Sequence, residues 1–557
     1  MLLPLNEKWL QQFVSANGRP PKILHIGNIA NNAYLNAKFL NMHGFNCDVI
    51  CYDYYHIMGC PEWEDAKFIG DFTQDHFHPE WVSSNSRDFE RPTWFAQGPQ
   101  LLCLDYLLAL QSGNSKSSQK LWKKLGQFNK TRPDRWGDMT LPMLFAKWGN
   151  LFTKWRGFLV ALRSYHLVML NSLNPAELLR SKLRLRCRKF GGEQFTILAE
   201  PIVLLAAAAA RLVQRFKSID AIPHVTYPTR DLIHQFEMHF PPRKAIFEAA
   251  LNTYVDALPR WRELVEHYDV VVGYATDGIY PLLAGKHPFV AFEHGTIRNI
   301  PFADDVQGQL CALTYRLADA VAITNADNIA AAQKLGLTQH SFIPHPINDL
   351  IIDEIDGQEK YLRLHTELDS NFIVFHPSRQ HWEPRRHPDW EKGNDFFLRG
   401  FAKFFHNINP KASALLVNWG NSVGASKQLI AELGIESRVR WIEPLPHGEM
   451  MQMISACDAL ADQFFLGAFG STMPKALACG KPALLYLDIE THKWCFPEMP
   501  PVVNVQTDQQ IFEGLSRLHL DRAYYLDLCA AGKAWYSKWH SSAVVTNSFV
   551  DIFRRII

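Results

Sequence analysis

This 557-residue chain has no apolar run approaching the roughly 20 residues that a helix needs to cross a bilayer. The nearest stretch, residues 201–210 (PIVLLAAAAA), is bounded by Glu200 and Arg211 and reads as a buried helix. An excess of charge is missing too. The 57 Lys and Arg against 56 Asp and Glu leave a net charge of +1, which argues against a general nucleic-acid binder. The ten cysteines include no CxxC pair, and a chain this long needs no disulfides to fold, so a reducing compartment is expected. Cys47, Cys51, His56 and Cys60 lie close enough to suggest zinc, but the strand-like run FNCDVICYDY suits small apolar core residues better. The opening residues MLLPLNEKWLQQF carry Glu7 and have neither a basic leader nor a long apolar core. No secretory signal is expected from them, and the location is read as cytoplasmic.

What is present is an alternation of short apolar runs with helical patterns. PKILHIGNIANNAYLNAKFLNMHGFNCDVICYDY reads as a strand from Lys22 to Ile26, a break at Gly27-Asn28, a helix carrying Ala33, Ala37, Phe39 and Leu40, and a second strand through Val49 and Ile50. That is the opening βαβ unit of a doubly wound sheet. The rhythm returns at YDVVVGYATDGIYPLLAGKHPFVAFEHG and LADAVAITNADNIAAAQKLGL. It starts afresh at NFIVFHPSR, then a helix around Phe396–Phe405, ASALLVNWG, a helix near Ser426–Leu433 and RVRWIEP. MMQMISACDA, LADQFF, PKALACG and KPALLYL continue it as helix, strand, helix and strand. The polar stretch His345–Asn371 shows no sustained period and divides the two series. The expected fold class is α/β, with two Rossmann-like domains facing a cleft. The bounds are 1–350 for the first domain, with a basic helical insertion over about 101–258, and 351–535 for the second. A helix over 536–557 is expected to return to the first domain.

Some residues in the second series suit phosphate chemistry. HPSRQHWEPRRHPDWEKGND places Arg379 just after an apolar strand and Lys392 just before a helix, where a guanidinium fork and a compact ammonium can meet phosphate oxygens. In LADQFFLGAFGSTMPKALACG, Gly467, Gly470, Ser471 and Thr472 form a turn into a helix, with Pro474 suited to its first turn. Backbone N–H groups at such a helix start can face an anion. The plain alternatives are solvated surface cations and an ordinary glycine-capped loop.

The succession strand–PSR…KG–helix, WGN, LGIESRVRWIEPLPHGEMMQMISACDALADQF and FGSTMPKALACGKPAL resembles the retaining GT-B glycosyltransferases of family 4, in detail over Asn371–Leu487. The resemblance implies transfer of a hexosyl group, with retention, from a nucleotide-diphosphate sugar to a glycan or lipid-linked acceptor. It implies that Arg379 and Lys392 bind the diphosphate in place of a metal, so neither a metal nor another cofactor is expected. The Gly470–Thr472 turn would contact the distal phosphate. GNIANNAY resembles the first glycine loop of these enzymes, which puts Gly27, Asn28, Asn31 and Asn32 toward the donor. In FEHGTIRNIPF, His294 matches a histidine lining the sugar site, with Arg298 beside it as an acceptor or phosphate contact. One departure stands out. Where the family carries two acids, near the sugar and on the ribose, this chain has Gly467 and Lys475, with Asp462 and Gln463 as partial substitutes at the preceding strand end. Lys475 is still counted among the donor-site residues. A non-catalytic sugar-nucleotide or glycan binder and a sugar-nucleotide epimerase are the alternatives.

Between Lys116 and Lys189 basic residues far outnumber Asp134, Asp138 and Glu177, and Trp122, Trp136, Trp148 and Trp155 are interleaved. No repeat or low-complexity tract occurs there. Basic helices with tryptophan suit a peripheral contact with an anionic membrane, here the inner face. The alternative is that the tryptophans pack inward and the charges are solvated. No nucleic-acid module is recognisable.

Overall fold

The computed structural model describes residues 7–67, 89–130, 229–355, 357–383 and 391–557. Two wholly parallel sheets organise the chain. The first has seven strands: β1 (Lys22–Ile26), β2 (Asn46–Tyr52), β3 (Phe95–Gly98), β4 (Val270–Tyr274), β5 (Phe289–Phe292), β6 (Ala320–Ile323) and β7 (Ser341–Phe342). Their order is β3-β2-β1-β4-β5-β6-β7. The second has six: β8 (Phe372–His376), β9 (Ala412–Val417), β10 (Val439–Ile442), β11 (Ala459–Ala461), β12 (Ala483–Leu485) and β13 (Val503–Asn504), ordered β10-β9-β8-β11-β12-β13. Each order reverses once, between β1 and β4 and between β8 and β11. In open α/β sheets ligands bind outside the carboxyl ends of the strands at such reversals. The expected pair of Rossmann-like sheets is present.

Parallel strands are covered on both faces, and β8 shows how the sequence achieves this. Phe372 and Val374 join a core with Phe397 and Phe401 of the helix Asn394–Asn407. Ile373 and Phe375 join another with Met451 and Ile454 of the helix His447–Ala456. Alternate side chains thus feed opposite cores. In the first sheet, Cys47, Val49 and Cys51 of β2 enter a core with the helix Asn32–Met42. Cys47 and Cys51 are fully enclosed core side chains.

The helix expected over 536–557 is two helices, Arg522–Trp539 and Ser542–Ile556. His540 interrupts them, donating through Nε2 to the His345 carbonyl at 3.1 Å, while the Ser542 N–H donates to Asp349 Oδ2 at 2.9 Å. The second helix puts Val545, Phe549, Val550, Ile552 and Phe553 into the core of the first sheet. The polar stretch between the series also contains a helix, Gly357–Glu367. It buries Leu364 alone, which accounts for its weak periodicity.

Of the basic segment, only the helix Ser115–Lys130 is described; residues 131–228, and with them Trp136, Trp148, Trp155 and the 201–210 run, lie outside the described residues. In that helix Lys116, Lys120, Lys123 and Lys124 are exposed, while the Trp122 ring lies 5.1 Å from Tyr106. Trp122 follows the inward-packing alternative. The described residues 229–256 group with 304–306 in a second unit. Its described part holds the helix Thr229–His239, where Arg243 lies over the rings of Phe236 and Phe240 and 3.7 Å from Asp304. Among the described residues no helix is long and apolar enough to cross a membrane.

Candidate functional site

The loops at the β8/β11 reversal bring Arg379, Lys392, Asp462 and Gln463 together. Ser378 Oγ donates to the Asp462 carbonyl at 2.8 Å and to its Oδ1 at 3.0 Å, tying the loop after β8 to the end of β11. Asn394 donates to the Arg379 carbonyl at 3.2 Å and meets His376 Nε2 at 2.9 Å. This fixes the loop against the start of the helix Asn394–Asn407. Gly393, its N-cap at φ +66, takes the left-handed conformation that glycine adopts without steric cost.

Arg379 is half-buried with its guanidinium over the Trp419 ring, 5.3 Å from the centroid. Lys392 donates to Gln463 Oε1 at 2.5 Å. Burial, with the nearby charges of Arg379 and Arg298, lowers the Lys392 pKa to about 8 against the attraction of Asp462. Neither cation has a carboxylate within ion-pair distance among the described residues. Gln463 also donates to the Ala468 carbonyl, so one side chain links Lys392 to the glycine turn. Asp462 keeps Oδ2 unpartnered, and burial raises its pKa. Gln463 therefore braces Lys392, while Asp462 holds the loop after β8 through Ser378.

A cavity of about 210 Å³ lies nearby, lined from both sheets. Ala30, Asn32, Met58, Trp63, Glu64 and His294 come from the first series, and His447, Gly470, Ser471 and Lys475 from the second. Ser471 stands at the N-cap of the helix Thr472–Ala478 without a side-chain capping bond, and the first-turn N–H groups there lack intrahelical acceptors. His294 is half-buried with Nδ1 unpartnered, and desolvation beside His345 and Arg298 lowers its pKa to about 3, so the ring is neutral. Its ring stands edge-on to His345 at 5.1 Å. Arg298 is held by Asp327 through Nε at 2.7 Å and a second nitrogen at 2.9 Å, so its fork is committed to a carboxylate while its charge still reaches His294 and Lys392.

The first glycine loop is arranged differently from expectation. Asn32 lines the cavity, but Gly27 and Asn28 do not. Gly27, at φ +91, donates to the Ile50 carbonyl, and a Cβ there would strike the Asp277 carboxylate. Asn28 donates to Asn31 Oδ1 and the Gly59 carbonyl, both at 2.9 Å, and accepts from the Tyr34 N–H. Asn31 donates to the Cys60 carbonyl at 2.8 Å. Every amide group of Asn28 is used within the protein, so it shapes the loop. Ala30 and Asn31 follow at φ +48 and +54, strained values for side-chain-bearing residues.

Gly467 has a structural reason to lack an acid. Its φ is +75, and a Cβ would lie 2.8 Å from the Tyr486 ring and 3.1 Å from Asp488 Cβ. No side chain fits there. Lys475 does face the cavity, and burial lowers its pKa against the attraction of Glu64. Glu64, His345 and His447 also line the cavity, and no sequence pattern marks them. Glu64 sits in the one-turn helix Glu62–Asp65, too short for a periodic signal, and each histidine follows a proline, His345 in a loop and His447 at the start of the helix His447–Ala456. Among the described residues no group of three or more His, Cys, Asp or Glu is placed to hold a metal ion.

No protein-family model matches the chain, and no curated protein matches it. Among solved structures, it is similar to HepE from Anabaena in complex with UDP and glucose, at 17% identity over 55% of this chain and 83% of that one, with a TM-score of 0.45. Sucrose-phosphate synthase from Thermosynechococcus elongatus gives 16% identity over 54% and 78%, with a TM-score of 0.41. A UDP-forming α,α-trehalose-phosphate synthase from Burkholderia xenovorans gives 12% identity over 59% and 83%, with a TM-score of 0.42.

Proposed function

We propose that the chain is a GT-B glycosyltransferase that moves a hexosyl group, with retention, from a nucleotide-diphosphate sugar to a glycan or lipid-linked acceptor. The observation that carries this reading is the pair Arg379 and Lys392. Two recessed cations at a sheet reversal, without a carboxylate partner among the described residues, are preorganised for an external anion with several oxygens. A diphosphate has that form. In the proposed step the bond from the sugar carbon to the diphosphate oxygen breaks as the acceptor oxygen bonds that carbon on the same face. The acceptor proton passes to the leaving diphosphate, whose growing charge the two cations stabilise. Neutral His294, with Nδ1 unpartnered, can accept a sugar hydroxyl, and enclosure between the sheets limits attack by water. No metal or cofactor is required by this scheme. A contact of the basic segment with an anionic membrane remains part of the proposal, tested by vesicle sedimentation with neutral and anionic lipid.

A second reading has a specific observation behind it. Gly467 cannot carry the acid expected near the sugar, which favours a protein that binds the nucleotide sugar without turning it over. Thermal shift across UDP-, GDP-, ADP- and CMP-sugars, followed by donor hydrolysis and transfer assays with product analysis, separates the two. Transfer or slow hydrolysis is expected. Binding without turnover supports the second reading, and an isomerised sugar indicates an epimerase. Arg379→Ala and Lys392→Ala should each lower turnover about 100-fold or more without unfolding the chain. Near-normal turnover in both variants removes the diphosphate assignment.

A further inference from the structure

Three polar groups that line the cavity keep hydrogen-bonding capacity that the protein does not use. The Glu64 side chain is 9% exposed, and its Oε2 has no hydrogen-bond partner. His447 is buried, with Nδ1 3.5 Å from that oxygen and itself without a hydrogen bond. The other ring nitrogen, Nε2, lies 2.9 Å from the Asn348 carbonyl, which can only accept. Nε2 therefore carries the proton, and Nδ1 presents a lone pair. Burial and the charge of Lys475 hold the ring neutral. Two acceptors on residues that line one cavity thus face each other with no donor between them, an arrangement that costs free energy until a ligand supplies hydrogens. Lys475 lines the same space without forming an ion pair, and a Cβ built on Gly470 would meet nothing within 4 Å, so the space is open beside them.

Adjacent hydroxyls on a sugar ring offer two donors side by side. A metal ion fits less well, because Lys475 repels it and only two ligands are present. Resting on the proposed use of a nucleotide sugar, we propose that Glu64, assisted by His447 Nδ1, binds neighbouring hydroxyls of the donor. The carboxylate missing from the second series is thereby supplied from across the cleft. The hydroxyls belong either to the nucleoside ribose or to the transferred sugar. Glu64 faces Lys475, Lys38, Asp65 and His447, and Asn31 donates to it. The balance leaves its pKa at about 6, with burial the largest cause, so the carboxylate is an acceptor at neutral pH.

The test is titration calorimetry of wild type, Glu64→Gln and Glu64→Asp. The probes are inorganic pyrophosphate, the diphosphates UDP, GDP and ADP, their 2′-deoxy forms, and the corresponding nucleotide sugars. Pyrophosphate should bind wild type and Glu64→Gln equally, since Arg379 and Lys392 are intact. The best nucleotide ligand should lose on the order of 10- to 100-fold in Glu64→Gln, as expected for a hydrogen bond to a charged group. Glu64→Asp, which keeps the charge but withdraws it by one methylene, should fall between. If ribose is the source, the 2′-deoxy diphosphate binds wild type weakly and no longer distinguishes the variant. If the transferred sugar is the source, only the nucleotide sugar loses affinity. Wild-type affinity should rise as pH increases through about 6, and the Glu64→Gln affinity should not, a response that a merely structural role would not produce. Equal binding of every nucleotide probe to wild type and Glu64→Gln overturns this inference and leaves the diphosphate site standing. Failure of all probes, pyrophosphate included, overturns both.

Discussion

Lys392 and Glu64 are displaced toward neutrality from opposite ends of the pH scale, because burial penalises each charged form. Below about pH 6 Glu64 takes up a proton and loses acceptor capacity; above about pH 8 Lys392 releases one and loses its attraction for an anion. For the free protein kcat/KM toward the donor should therefore rise through about 6 and fall through about 8. Lys392→Arg keeps the charge across that range and should remove the alkaline limb. A limb that persists in Lys392→Arg would assign it to another group. Gly467 is a matter of space instead of charge. Gly467→Ala forces a Cβ against Tyr486 at a positive φ and should cost about 1–3 kcal/mol, read by chemical denaturation. Wild-type stability in that variant would mean that the turn relaxes freely. These residues also mark how far the site is legible from sequence. Arg379 and Lys392 could be found because their chemistry is tied to strand and helix boundaries. Glu64 could not, since it reaches the cavity from a single turn with no pattern of its own, and the occupied space around Gly467 exists only once Tyr486 folds beside it.

The strands and helices of the second series are legible for a physical reason. NFIVFH and ASALLV are continuous apolar runs because both faces of a parallel sheet are covered, and they emerge as β8 and β9. The short pieces are harder to read. β13 has two residues, β3 lies just before the region read as a helical insertion, and the helix Gly357–Glu367 has one buried anchor. The helix Ser542–Ile556 combines both situations. Its apolar face is plain in SSAVVTNSFVDIFRRII, while its break from the preceding helix depends on His540 and Asp349. Phe549 stacks on Phe292 of β5 at 5.7 Å and is fully enclosed. Phe549→Ala should cost about 3–5 kcal/mol, as a large aromatic removed from a packed core does. A shift near zero in denaturant midpoint would show that this helix is not docked in solution.

At the scale of the whole molecule the two sheets are joined by polar contacts around the cavity. The Asn348 carbonyl accepts from His447 Nε2 at 2.9 Å, Trp494 donates to the Ala326 carbonyl at 2.9 Å, and the His56 ring faces Trp419 at 6.4 Å. The Glu64–Lys475 attraction runs in the same direction, from the first series to the second. Each charge is recessed, so removing one leaves the other without its counter-charge. A double-mutant cycle with Glu64→Gln and Lys475→Met, followed by thermal unfolding in the absence of ligand, measures that attraction without invoking any activity. The two losses should be less than additive, with a coupling of about 0.5–3 kcal/mol. Added salt should reduce the coupling only slightly, because enclosed charges are poorly screened. Strict additivity would mean that the sheets stand further apart in solution, with Glu64 and Lys475 each solvated by water. In that case the cavity would be assembled by the ligand, and stabilisation by saturating nucleotide would have to include the free energy of bringing the sheets together.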